Sequence, residues 1–361
     1  MKLYRPRPYL APVAALHGLV LRARHACFDW GLFRRTRAEL PTWVLGNITA
    51  GGTGKSPHVR LFVQEIEGIL GPHTVGILSR GHGRESEGFR WVECSSPAGE
   101  VGDEPLMLKV QMPEVPVAVC IDRLEGVRRM RHEMPHLRWV VLDDALQHRR
   151  LWPDAATVLL DATQPVTRDR LIPAGRLRDL RSSLRLADSA LLTRSSDRLT
   201  TEISEAGWPG HGPLLATRMR EGLPQPWSRA AQDCPLIPKT NPPERQRIIA
   251  LAGIARPERF MDMLAHGFQV VRREAHLDHQ PYSKADVLAW RAAFDTDAVA
   301  GLVTTEKDAA RLELHRDLLE DLPVYFAPMQ AEWVEPETAR NWIRTVLEAS
   351  ERRRRLKNED I

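Results

Sequence analysis

The chain has 361 residues, 43% hydrophobic and 27% charged, with a net charge of +4. That length provides for two ordinary domains or one large one, and the composition excludes a disordered chain. The four cysteines, Cys27, Cys94, Cys120 and Cys234, are far apart with no Cys-x-x-Cys, which speaks against a zinc site or disulfide framework and for a reducing compartment.

Arginines crowd the two ends of the chain, a pattern suited to an acidic partner: anionic lipid, phosphorylated substrate or nucleic acid. Lys2, Arg5 and Arg7 precede an apolar stretch from Tyr9 to Leu21. It carries His17 and falls short of the about 20 residues a spanning helix needs. Tyr9, Val13, Leu16 and Val20 recur at helical spacing, with Arg22, Arg24 and His25 next, then Phe28, Trp30, Leu32, Phe33, Arg34, Arg35 and Arg37. This suits a helix lying in the headgroup layer, or an ordinary helix packed on the domain.

A strand is predicted over Thr42–Leu45, a glycine-rich turn over Gly46–Lys55, and a helix over Val59–Leu70. Further strands are predicted over Thr74–Leu78, Val115–Cys120, Arg138–Leu142, Ala156–Leu160 and Ser189–Thr193. The proline-rich stretch Gly207–Pro243 reads as a crossing between subdomains or the edge of the second one. Beyond it come strands Arg247–Ala252, Phe268–Arg272, Ala300–Thr304 and Val324–Ala327, a helix from Pro257, and a closing helix Glu335–Leu347. The Arg352–Arg355 run reads as a solvated end. Strands alternating with helices predict an α/β fold with a largely parallel sheet covered on both faces.

The strongest chemical signal is Gly46-Asn47-Ile48-Thr49-Ala50-Gly51-Gly52-Thr53-Gly54-Lys55-Ser56, set between strand and helix. Glycines let successive N–H groups turn toward phosphate oxygens, and the helix N-terminus adds partial positive charge. Residues 49–56 are thus the candidate nucleotide loop, with Lys55 on the terminal phosphates and the Ser56 hydroxyl on Mg2+. Thr49 stands where the strict pattern has glycine. The second signal is the apolar strand ending in Asp143-Asp144, the way such folds present a carboxylate to Mg2+. Gly102-Asp103-Glu104-Pro105 reads as a helix start with Asp103 as N-cap, or as a base or metal ligand. Asp278-His279 is a candidate acid–base element, and Arg80, Arg84, Arg176 and Arg178 lie on candidate anion-binding turns that equally suit solvated loops.

Taken together, these blocks resemble the tetraacyldisaccharide 4'-kinase family of the lipid A pathway. The resemblance runs through Gly46–Pro57, Ser79-Arg80-Gly81, Gly102–Pro105, Asp143-Asp144, Gln147-His148, Pro173-Ala174-Gly175, Leu177-Arg178, Ala252-Gly253-Ile254, Pro257–Phe260, Asp278-His279 and Thr305–Asp308, in family order. Thr49 also belongs to that pattern. His82, Ala145 and Asp179 depart from it, standing where the family usually has an aromatic, Gly and Glu.

The resemblance implies a P-loop NTPase-like α/β/α sandwich with a second, smaller α/β/α subdomain and a site in the cleft between them. It implies phosphoryl transfer from ATP to the 4'-hydroxyl of an acylated glucosamine disaccharide 1-phosphate, without a nucleic-acid partner. It moves the N-terminal helix toward the interfacial reading, at the cytoplasmic face of a bacterial inner membrane. The expected division is 1–38 as the interfacial region, 39–200 joined by helix 335–350 as the kinase subdomain, and 201–330 as the second. Asp103 is expected to accept the sugar proton with His279 against it, and Lys55 to hold the β- and γ-phosphates. Ser56 with Asp143 or Asp144, and Glu104 and Gln147, are expected around Mg2+, and Arg80, His82, Arg178 and Asp179 on substrate or nucleotide. The rivals are a switch-type P-loop NTPase, although the chain lacks an Asn-Lys-x-Asp guanine reader, and a non-catalytic nucleotide-binding protein of the membrane surface.

Overall fold

The computed structural model describes residues 7–51, 54–196, 198–254, 257–277 and 281–359. The chain forms two compact units, residues 1–219 with 331–361, and residues 220–330.

The first unit is built on a sheet whose strands are β1 (Thr42–Gly46), β2 (Val75–Ser79), β3 (Arg90–Val92), β4 (Val117–Val119), β5 (Trp139–Asp143), β6 (Ala155–Asp161), β7 (Ser189–Thr193) and β8 (Leu214–Glu221). The second unit carries β9 (Gln225–Pro226), β10 (Arg247–Ala252), β11 (Gln269–Ala275), β12 (Gly301–Thr305) and β13 (Val324–Ala327), and β14 (Met329–Trp333) returns to the first sheet. The large sheet runs β14-β8-β7-β6-β1-β5-β2-β4-β3. β1 lies between β5 and β6, parallel to both, and Leu45 is in register with Asp143. The loop leaving β1 and the acids ending β5 therefore emerge side by side.

Every residue of β1, β2, β5, β6 and β7 is buried, because helices cover both faces. Along β1 the side chains alternate between two cores. Trp43 and Leu45 face the core shared with α2 (Lys55–Leu70) and the C-terminal helix Pro336–Glu359, whereas Val44 faces the core containing Val127 and Met130 of the helix Arg123–Glu133. Trp43, Phe62, Trp139 and Trp333 form a chain of ring contacts with centroids 5.3–6.1 Å apart. The buried Trp43 Nε1 donates to Thr157 Oγ1 at 2.9 Å, so its polar edge costs little.

The smaller sheet runs β11-β10-β12-β13-β9, parallel except for β9. It too is covered on both faces, Ile248 and Ala250 packing with Phe260 and Met261, Ile249 and Leu251 with Val287 and Trp290. The Thr305–Asp308 block is structural here. Thr305 caps the next helix, and the fully buried Asp308 accepts from Gly253 N and Thr305 Oγ1 and pairs with Arg311.

Two features differ from the sequence expectation. β3, β8 and β14 were not predicted; β8 hides its apolar Leu214–Thr217 start between prolines. The Arg352–Arg355 run is not a free end: the closing helix extends to Glu359, and Arg354 binds the buried Asp154 and the carbonyls of Ala38, Glu39 and Leu40. Arg353 donates to Asp154 O. Carbonyl groups of the segment leading into β1 are thereby satisfied.

Candidate active site

α2 begins at Lys55, directly after Gly54, whose left-handed φ of 78° ends the glycine-rich turn. A side chain at Gly54 would be strained whatever the space around it. The Gly54 carbonyl is held by His58 Nδ1 at 2.6 Å, and His58 Nε2 meets Thr217 Oγ1 at 2.7 Å. Burial pushes the His58 pKa down to about 4, so the ring is neutral near pH 7.

At the end of β5 two adjacent acids have opposite environments. Asp143 faces inward, 1% exposed, and accepts from Ser79 Oγ at 3.0 Å. Its Oδ1 is buried with no hydrogen-bond partner among the described residues. Burial, then the charges of Glu104 and Asp144, push its pKa up to about 7. Asp144 is left-handed (φ 52°) and turned the other way, where Lys55 Nζ lies 3.6 Å from Oδ2. The Arg178 guanidinium grips both Asp144 oxygens, at 2.9 Å to Oδ2. Burial pushes this carboxyl up, but Arg178 and Lys55 outweigh it and hold its pKa below the usual range.

Arg178 Nη2 also reaches Asn47 O at 3.0 Å and Asn47 Oδ1 at 2.5 Å, while Gln147 Nε2 donates to Asn47 O at 2.8 Å. The loop around Arg178 runs beside the glycine-rich loop, Ala50 N bonding to Arg176 O and Arg178 N to Ile48 O. Asp179 turns away from this cluster and pairs with His25 at 2.8 Å.

Asp103 is the first residue of the helix Asp103–Gln111, and Gly102, not Asp103, is the N-cap. The left-handed Gly102 is pressed against the turn after β2: a Cβ there would lie 3.2 Å from both Gly81 Cα and His82 O. The fit brings the backbone of the exposed Arg80 and His82 beside the half-buried Asp103 and the exposed Glu104. Arg123, 3% exposed, feels the charges of Asp143, Arg80 and Asp144.

The whole arrangement puts a glycine turn, a helix N-terminus, a lysine and a buried acid at the end of neighbouring parallel strands. The chain matches the family described as LpxK, tetraacyldisaccharide-1-P 4'-kinase, over residues 6–348. The chain belongs to that family. It is 35% identical to a tetraacyldisaccharide 4'-kinase of Chlorobium luteolum over 86% of this chain and 88% of that protein. It is 32% identical to one of Parabacteroides distasonis over 86% of this chain and 84% of the relative. The crystal structure of an "apo" form LpxK from Aquifex aeolicus in complex with ATP aligns with a TM-score of 0.72 at 24% identity, covering 94% of this chain and 99% of that one. It shares the fold.

Of the residues expected at the kinase site, Lys55, Asp143, Asp144, Glu104, Gln147 and Arg178 come together, and Ser56, buried, is the second residue of α2. Thr49 is bridged to Leu177, and Ala50 and Gly51 are exposed on the loop. Gly52, Thr53 and His279 lie outside the described residues. Sequence reasoning gave no role to Asn47, His58 or Arg123. Asn47 stood inside the recognised loop, and Arg123 follows a predicted strand end; His58 carried no signal beyond its place on α2.

No cluster of three or more His, Cys, Asp or Glu side chains able to hold a metal occurs among the described residues. Mg2+ sites of phosphate-loop enzymes use one or two carboxylates, with phosphates and water completing the shell. The unpartnered Asp143 Oδ1, crowded by Glu104 and Asp144, fits that need.

Proposed function

We propose that this chain transfers the γ-phosphate of ATP to the 4'-hydroxyl of a tetraacyl glucosamine disaccharide 1-phosphate, as a peripheral protein at the cytoplasmic face of the bacterial inner membrane. The observation that carries the reading is Lys55 at the start of α2, 3.6 Å from Asp144, with Asp143 buried beside it. Lysine and the helix N-terminus together suit the β- and γ-phosphates. Ser56 and Asp143 would hold Mg2+, with Asp144, Glu104 and Gln147 around them. When bound, the ion supplies charge neutralisation on the phosphate oxygens. Arg178, His82 and Arg80 are assigned to nucleotide and substrate, Arg178 by bracing Asp144 and Asn47; Asp179, expected beside them, is buried against His25 instead. Asp103 is assigned as the base that accepts the hydroxyl proton.

The membrane assignment is supported by the outer face of α1 (Ala11–Asp29) and the turn before it. Tyr9, Val13, Leu16 and Val20 are each more than half exposed, while Ala14, Gly18 and Phe28 on the other face are buried. Trp30 and Leu32 are 78% and 68% exposed beyond its end. An apolar stripe with aromatic and arginine flanks suits the headgroup layer. No helix among the described residues is long and apolar enough to cross a membrane.

The test is transfer of labelled γ-phosphate to the tetraacyl disaccharide 1-phosphate in mixed micelles, with Lys55→Ala as control. Label in the lipid that disappears in the control is expected. Folded, ATP-binding protein that leaves the lipid unlabelled would sink the reading. Leu16→Glu with Val20→Glu should release the protein from anionic vesicles without loss of fold, and unchanged vesicle binding would remove the role of α1.

A further inference from the structure

We propose that His25 is a positioning residue of the phosphoryl-transfer site, holding from α1 the Arg178-Asp179 turn and, through it, Asp144 and the phosphate loop. The inference rests on the kinase reading above and adds to it a mechanical link between the proposed membrane helix and the chemistry.

His25 lies on the inner side of α1. Arg149 Nη1 approaches its Nδ1 at 2.7 Å, and a guanidinium only donates, so Nδ1 accepts. The ring proton is then on Nε2, which donates to Asp179 Oδ1 at 2.8 Å. His25 thus bridges a cation and an anion, with side-chain exposures of 4% for Arg149 and 1% for Asp179. Arg149 also binds His25 O and Asp29, fixing the end of α1. The next residue back from Asp179 is Arg178, which grips Asp144 and Asn47.

A second arm leaves the neighbouring residue. Arg24 Nη2 donates to Gln147 O at 2.8 Å, and Gln147 Nε2 donates to Asn47 O at 2.8 Å. Both arms converge on the Asn47 carbonyl, eight residues before Lys55. Nearer its start α1 packs on the segment that leads to Arg178, where Gly18 leaves only 3.0 Å between a Cβ and Leu171, and Arg7 N, ahead of the helix, donates to Ala174 O. In a site where positioning dominates, a displacement of about 1 Å costs roughly 100-fold in rate.

The test compares His25→Leu with His25→Gln. A glutamine can accept from Arg149 through Oε1 and donate to Asp179 through Nε2; leucine fills the space and does neither. Turnover and KM for ATP and disaccharide in mixed micelles, vesicle binding and thermal midpoint are measured together. His25→Leu is expected to lose roughly 10- to 100-fold in kcat, with vesicle binding unchanged because the outer face of α1 is untouched. His25→Gln is expected to recover most of that loss. Wild-type kcat in His25→Leu overturns the inference, and so does an equal loss in both variants. If His25→Leu does not fold, His25→Asn, too short to span both partners, takes its place with the same expected loss. A wild-type protein that labels no lipid sinks the kinase reading itself; a wild type that turns over beside an unaffected variant sinks only the role of His25.

Discussion

Asp143→Asn is expected to stabilise the protein at pH 8 while removing its turnover. The Asp143 carboxyl keeps its proton up to about pH 7 in the fold, against an ordinary value of 3.8. Between those two values the unfolded chain has released a proton that the folded chain retains, so stability falls as pH rises, by about 1.4 kcal/mol per pH unit. The accumulated loss at pH 8 is roughly 4 kcal/mol. Asparagine keeps the acceptor for Ser79 Oγ and cannot ionise, and leaving its amide donors poorly paired costs about 1 kcal/mol. A net gain of roughly 3 kcal/mol at pH 8 is therefore expected, shrinking to about 1 kcal/mol at pH 5.5. The wild-type curve alone would conceal this. His58 and His148, both pushed down to about 4 by burial, lose stability as pH falls through 6.5 toward 4, with the opposite sign. They are common to both proteins and cancel in the difference. The assay is urea unfolding of wild type and variant at pH 5.5, 7 and 8, with nucleotide absent and a chelator present. A difference that does not grow with pH would refute the reasoning that like charges and burial hold Asp143 high.

Asp103→Asn should lower kcat by roughly 10²- to 10⁴-fold, the range for a positioned base, with ATP affinity by calorimetry unchanged; near-normal turnover would remove the base assignment. Arg178→Lys keeps the charge but cannot span Asp144 and Asn47 together, and a loss of roughly 10- to 100-fold in kcat/KM is expected from the charge-assisted bonds forfeited. His58→Leu breaks the links to Gly54 O and Thr217; ATP binding should weaken by roughly tenfold, matching one or two buried bonds. Unaltered nucleotide affinity would show that Gly54 keeps its conformation without the imidazole.

The glycine-rich turn between strand and helix and the buried strands were legible because their signals are local: glycines, apolar runs and turn residues lie within a few positions of one another. The division of labour between Asp143 and Asp144 was not. The two are chemically identical neighbours, but β5 ends at Asp143 and the left-handed turn at Asp144 sends its side chain elsewhere. What separates them is Ser79 on one side and Arg178 on the other, each supplied by a distant segment. The same limit applies to β8, whose apolar start could be placed only once β7 offered a partner, and to Arg354, which reads as one more charge in a basic tail until Asp154 is beside it.

The N-terminal arginines make the argument most sharply. Sequence shows a row of cations flanking an apolar stripe, all equally suited to lipid phosphate. The fold divides them. Arg24 reaches Gln147 O, Arg35 pairs with Asp29 and Arg37 with Asp154. Arg22 and Arg34 are exposed and have no ion-pair partner among the described residues. If α1 lies on an anionic surface, the long-range attraction belongs to Arg22 and Arg34, whose charge is free to meet headgroups. Arg24, with His25 beside it, instead ties the position of that helix to Asn47 and Asp179. One helix thus faces two chemistries, and the side on which each arginine falls decides whether its loss would be felt in vesicle binding or in turnover.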